Sequence, residues 1–133
     1  MAQYDRCVVK PGELPVWQAP DKSRKVSSLI DKKICGAQAV SGGMFWLAPG
    51  HQSEPDLHPH SEEVYYVVRG KGQLVLGDGE YEVSEGMSVY IPAGVHHQSF
   101  NTGDEELVYF FAFGPPPKEL SKAEEQGWAQ VDG

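Results

Sequence analysis

"PGHQSEPDLHPHSEEVYYVVRG", residues 49–70, decides how the chain is read. It gathers Asp56, His58, His60 and Glu63 immediately ahead of a β-branched and aromatic run, EEVYYVVRG, which reads as a strand. Alternate residues of a strand share a face, so Asp56, His58 and His60 can all point one way. Glu63 lies five residues beyond His58, so a turn must intervene before it faces the same space. Tyr65 has the parity of Glu63 and is expected to line that space.

On either side the chain is punctuated for many short strands, with 15 Gly and 10 Pro in 133 residues. SRKVSSLI and KKICGAQAVSGGMFWLAP read as early strands, with Gly42-Gly43 as a break. GQLVLGDGEYEV reads as a hairpin turning at Asp78-Gly79. EGMSVYIPAG is a strand closed by Pro92-Ala93-Gly94, and HHQSFNTGDEELVYFFAFG is a further hairpin turning near Asn101–Asp104. In it His97, Ser99 and Asn101 share a face and His96 takes the other. In LVYFFAFG, either Tyr109, Phe111 and Phe113 or Val108 and Phe110 face inward, as does one of Phe45 and Trp46. These aromatics predict a tight apolar cavity suited to a small organic ligand. Past Pro115-Pro116-Pro117, Ser121-Lys122-Ala123-Glu124 fits a capping box, so a short helix stopped at Gly127 is expected, with Trp128 pinning the tail. The pattern predicts one all-β domain, a sandwich or jelly-roll barrel.

Several classes of function are excluded by composition. Hydrophobic residues make up 40% of the chain, enough for one sizeable core. The net charge of −8, without a Lys/Arg cluster, argues against nucleic acid. No apolar run approaches the roughly 18–20 residues of a membrane span, and the N-terminus has no signal-peptide core. Cys7 and Cys35 form no CxxC spacing, so a reduced, cytoplasmic protein is expected. RGKG and GDGE match no nucleotide-binding motif, and no Ser/His/Asp or Cys/His nucleophile pattern is evident. What remains is convergence of imidazole and carboxylate: Asp56 and His58 from one segment, Glu63 from the next, and a histidine from a distant strand. That is a donor set for a divalent metal.

The spacing also resembles the cupin family, whose motifs are G-x5-H-x-H-x4-E-x6-G and G-x5-P-x-G-x2-H-x3-N. Gly50, Asp56, His58, Glu63 and Gly70 match the first, with Asp56 at its first histidine position; Gly86, Pro92, Gly94, His97 and Asn101 complete the second. The resemblance covers residues 40–113. It implies a double-stranded β-helix, or jelly-roll barrel, holding a metal (Fe2+, Mn2+ or Zn2+) on His58, Glu63 and His97. Asn101 would order the loop or the cavity mouth. Asp56 has three readings: a fourth ligand, a base beside the metal, or a solvated carboxylate.

Residues 1–30 are expected as an extended arm and 115–133 as a Pro-rich linker and short tail of the single domain, 1–133. Small cupins resemble homodimers that exchange N-terminal strands, and a homodimer is expected here. The expected function is a metal-dependent enzyme acting non-oxidatively on a small carbonyl- or carboxylate-bearing substrate. Tyr65, His60 or Asp56 would move protons. The alternatives are an Fe(II) dioxygenase and a binding protein for a sugar or small acid.

Overall fold

A computed structural model describes residues 2–10, 12–117 and 126–132. Ten strands make two antiparallel sheets. They are β1 (Val16–Gln18), β2 (Arg24–Ile30), β3 (Ser41–Leu47), β4 (Glu62–Arg69), β5 (Lys71–Leu76), β6 (Gly79–Ser84), β7 (Ser88–Ile91), β8 (His97–Phe100), β9 (Leu107–Gly114) and β10 (Ala129–Val131). The larger sheet has seven strands in the order β10-β1-β2-β3-β9-β4-β7, and the smaller has β6-β5-β8. This is the all-β jelly-roll architecture that the sequence implies.

Alternation places the core. In β4, Glu63 and Val67 are buried while Val64, Tyr66 and Val68 are exposed. Leu47, Val67, Leu107 and Tyr109 from the larger sheet pack with Leu74 and Val83 from the smaller. Each aliphatic side chain fully buried there contributes about 1.5–3 kcal/mol. The same inward face carries the cleft, so core and site are two depths of one interior.

Five local expectations are corrected. Gly42 and Gly43 do not break a strand; they lie inside β3, paired to β2 and β9. They are glycines because the backbones approach closely: a Cβ on Gly43 would stand 2.0 Å from the Ser27 carbonyl oxygen. Lys32–Cys35 is a helical turn, α1, rather than strand. Asp31 caps it, accepting from the Ile34 N–H at 2.7 Å, and Gly36 ends it in the left-handed region. The β5–β6 hairpin turns at Gly77-Asp78, one residue early, because Leu76 pairs with Gly79. β8 and β9 form no hairpin, since β8 pairs with β5 while β9 lies between β3 and β4. Finally, the expected N-terminal arm carries β1 and β2, which pair with each other, and β1 pairs also with β10 of the same chain.

The helix expected at residues 121–127 falls largely outside the described residues. Beyond it the chain returns as β10, and the Trp128 ring lies under the Arg24 guanidinium, 5.2 Å from its centroid. Among the described residues no helix is long and apolar enough to cross a membrane.

Candidate metal centre

The first site segment is a loop, not a strand. Asp56 makes an isolated bridge with His97: each backbone N–H donates to the other's carbonyl at 2.9 Å. Directly opposed residues present side chains on the same face, so this bridge carries Asp56 to His97. The Gly94 N–H then donates to the His58 carbonyl at 2.8 Å. Two widely separated loops are thereby clamped together through backbone alone. A turn at Pro59-His60 follows, and β4 begins at Glu62, which aims Glu63 inward.

Four side chains converge. His97 Nε2 lies 3.1 Å and His58 Nε2 3.7 Å from Glu63 Oε1, and Asp56 Oδ2 lies 3.3 Å from His58 Nε2. One donor atom from each of Asp56, His58 and His97 falls within 4.8 Å of the others. Glu63 and His97 are buried, whereas the Asp56 side chain is 56% exposed and sits at the rim. His97 is oriented by its Nδ1, which donates to the Val95 carbonyl at 3.0 Å and turns Nε2 toward Glu63. His58 is held edge-on against Phe113, with ring centroids 4.8 Å apart.

The donors fit a divalent cation. His58 Nε2 and Glu63 Oε1 are buried and make no well-directed hydrogen bond among the described residues, although Asp56 Oδ2 and His97 Nε2 lie 3.3 and 3.1 Å from them. Such orphans are costly unless something outside the protein's own groups satisfies them. Two imidazole nitrogens with carboxylate oxygens suit Fe2+, Mn2+ or Zn2+ over soft-ligand metals.

The electrostatics agree. Burial pushes the Glu63 pKa up, only partly offset by His97 and His58. Burial would lower His97, but its contacts with Glu63 and the Val95 carbonyl outweigh this and raise it. Burial would raise Asp56, but His58 and the Leu57 N–H outweigh it and keep the carboxyl below its usual range. Tyr65 is held well above 10 by burial first, then by the charge of Glu63.

The cluster opens into a cleft of about 990 Å³. Tyr65 stacks on Tyr109 at 4.5 Å, and Tyr109 donates to Ser99 Oγ at 3.0 Å. Of the alternatives left open by the sequence, Tyr109, Phe111 and Phe113 face the cleft, and Phe45 rather than Trp46. The cleft is wider and more polar than a tight apolar cavity, because Arg6, Arg24, Asp31 and Lys33 also line it. His60 is the site residue that does not join: it is exposed on the turn and lies outside the cleft lining. Its H-x-H spacing with His58 misleads because the segment turns instead of extending. His96 and His51 are exposed as well. Arg24 was missed, although it shares the parity of Val26, which also faces the cleft.

The model of the cupin domain matches residues 43–113, more than half of the chain. The chain belongs to the cupin family. Protein SchB of Streptomyces halstedii is 33% identical over 90 residues, covering 68% of this chain and 65% of that protein. Polyketide synthase CurC of Streptomyces cyaneus is 29% identical over 98 residues, covering 72% of this chain and 64% of that protein. These matches span a little under two thirds of the relatives' own length. Among solved structures, an oxalate decarboxylase of Lactobacillus farciminis in a formate complex superposes with a TM-score of 0.69 at 25% identity. That match covers 90% of this chain and 33% of the other.

Proposed function

We propose that this cupin is a metal-dependent enzyme acting on a small carbonyl- or carboxylate-bearing metabolite by non-oxidative chemistry of the lyase, isomerase, decarboxylase or cyclase type. The observation that carries this reading is the convergence of buried donors, His58 Nε2 and Glu63 Oε1, with an oriented His97 Nε2. Similarity to an oxalate decarboxylase and to a protein named a polyketide synthase supports a substrate of this class.

His58, Glu63, His97 and Asp56 would hold the metal. When bound, the metal supplies Lewis-acid polarisation of a substrate oxygen. Tyr65 remains a protonated phenol at working pH, so it can donate a hydrogen bond to a developing negative oxygen in the cleft. Asp56 stays ionised and half open to solvent; if it stands outside the coordination set, it instead takes a proton from substrate and passes it outward. Phe111, Phe113 and Phe45 exclude water from the inner wall.

The test is to load metal-free protein with Mn2+, Fe2+ or Zn2+ and follow small keto- and dicarboxylic acids by NMR alongside an oxygen electrode. Metal-dependent conversion without oxygen uptake supports the reading. Stoichiometric oxygen uptake would replace it with a dioxygenase, and tight metal-independent ligand binding without turnover with a binding protein.

A further inference from the structure

An inward-facing arginine in the wall of a barrel needs a reason, because a guanidinium removed from water is costly without full pairing. Arg24 is such a residue. Its side chain is 16% exposed and borders both the main cleft and a neighbouring polar cavity of about 320 Å³. Its pairing is thin. Nε donates to Ser23 Oγ at 3.3 Å, and Nη1 lies 3.5 Å from Glu54 Oε1. Glu54 is itself 75% exposed, so that ion pair is weak. No acceptor for Nη2 is found among the described residues. The guanidinium carbon lies over the Trp128 ring, 5.2 Å from its centroid.

Two further cations face the same cleft. Arg6 donates to the carbonyls of Lys33 and Ile34, at 2.7 and 3.1 Å, and those neutral groups leave its charge uncompensated. Lys33 lines the cleft beside it. The Asp31 carboxylate, which accepts from the Ile34 N–H, keeps its charge and lines the cleft beside them. The cleft lining thus carries three cations, Arg6, Arg24 and Lys33, against four carboxylates, of which Asp56 and Glu63 belong to the metal cluster and Asp31 and Glu54 lie on the side of Arg24 and Arg6.

We propose that Arg24 is a specificity-determining residue that binds an oxyanion group of the substrate through its planar guanidinium fork, which lies over Trp128. The substrate is then an acid with two anionic or polar ends. One end reaches the His58–Glu63–His97 cluster and the other, a carboxylate or a phosphate, takes the Arg24 fork in place of Glu54. The position of the first end rests on the function proposed above; the Arg24 site does not.

The test uses succinate and butyrate, which share a carbon count and differ in one carboxylate, with 3-phosphonopropionate as the phosphate-like probe. Binding is read from tryptophan fluorescence, since Trp128 lies against Arg24 and Trp17 lines the cleft. Metal content is measured on the same samples. Wild type should bind succinate or the phosphonate roughly ten- to a hundredfold tighter than butyrate, the scale of a charged hydrogen-bonded contact. Arg24→Gln should abolish that preference at unchanged metal content, and whichever probe loses more identifies the oxyanion. Glu54→Gln removes the competing carboxylate and should tighten binding of the same probe. It also keeps the proposal testable if Arg24→Gln fails to fold. Equal binding of succinate, phosphonate and butyrate to wild type overturns the proposal. So does a preference that survives Arg24→Gln, or Glu54→Gln leaving binding unchanged or weaker. Metal-free wild type that binds both probes as tightly as the metal-loaded protein, with the Arg24-dependent preference intact, would count against substrate contact with the metal and leave the Arg24 proposal standing.

Discussion

Asp56→Asn separates the metal role of the rim carboxylate from its structural one. Asparagine retains an oxygen for the Leu57 N–H, which Asp56 Oδ1 now accepts at 2.9 Å. The Asp56–His97 bridge is backbone only and does not change. What is lost is the charge 3.3 Å from His58 Nε2, on a side chain 56% exposed. A pair so exposed contributes at most about 1 kcal/mol, so melting of the metal-free protein should shift by no more than roughly 3–5 °C. Metal affinity should respond more. Removing even a supporting contact costs about ten- to a hundredfold in affinity, and a lost ligand at least that. Competition against a chromophoric chelator measures the affinity, and a thermal melt run with chelator measures the fold. A folded Asp56→Asn protein with unchanged affinity would remove Asp56 from the coordination set. If it had also lost turnover, Asp56 would be a base instead.

Three further outcomes are expected. Asn101→Ala should destabilise the protein by about 2–4 kcal/mol. It removes side-chain hydrogen bonds to the Leu47 and Glu105 carbonyls and from the Gly103 N–H. Urea unfolding checks this, and a loss below about 0.5 kcal/mol would contradict it. Tyr65→Phe should keep its metal and lose roughly a hundredfold or more in turnover, the scale of a lost proton-donating group. Full activity in that variant would discard Tyr65 as the donor. In pH-dependent melts, the metal-free protein should lose stability as pH rises. The His97 contribution is fully present below its ordinary value of 6.5 and is lost as pH climbs through the raised one. Glu63, raised above 4.5, withdraws stability in the same direction as its buried carboxyl ionises. Metal requires both groups deprotonated, so metal affinity should instead rise across that window. Chelator-treated protein gaining stability from mildly acidic to neutral pH would refute this.

Much of the fold was legible because the interior is two-sided. The β-branched and aromatic runs EEVYYVVRG and LVYFFAFG identified strands, and turn residues marked most of their ends. Spacing also located Asp56, His58, Glu63 and His97. Their convergence depends on backbone contacts, such as Gly94 to His58, that no local pattern encodes. His60 was misplaced because strand parity was applied to a segment that turns. Gly42-Gly43 was misread because a glycine demanded by a neighbouring backbone looks, in sequence, like one demanded by a turn. The pairing of β8 with β5 was hidden because strand partners across a jelly roll are remote in the chain. The inward direction of Arg24 was open to parity but ran against the expectation that a charged residue faces water.

The proposed metal ligands are the buried, converging side chains of His58, Glu63 and His97. Elemental analysis of tag-free protein, purified without chelator, tests this assignment most directly when wild type and His97→Ala are measured side by side. About one divalent transition metal per chain is expected in wild type and almost none in a His97→Ala protein that remains folded. Metal-free wild type that takes up none of Mn2+, Fe2+ or Zn2+ on dialysis, or equal metal in both proteins, would contradict it.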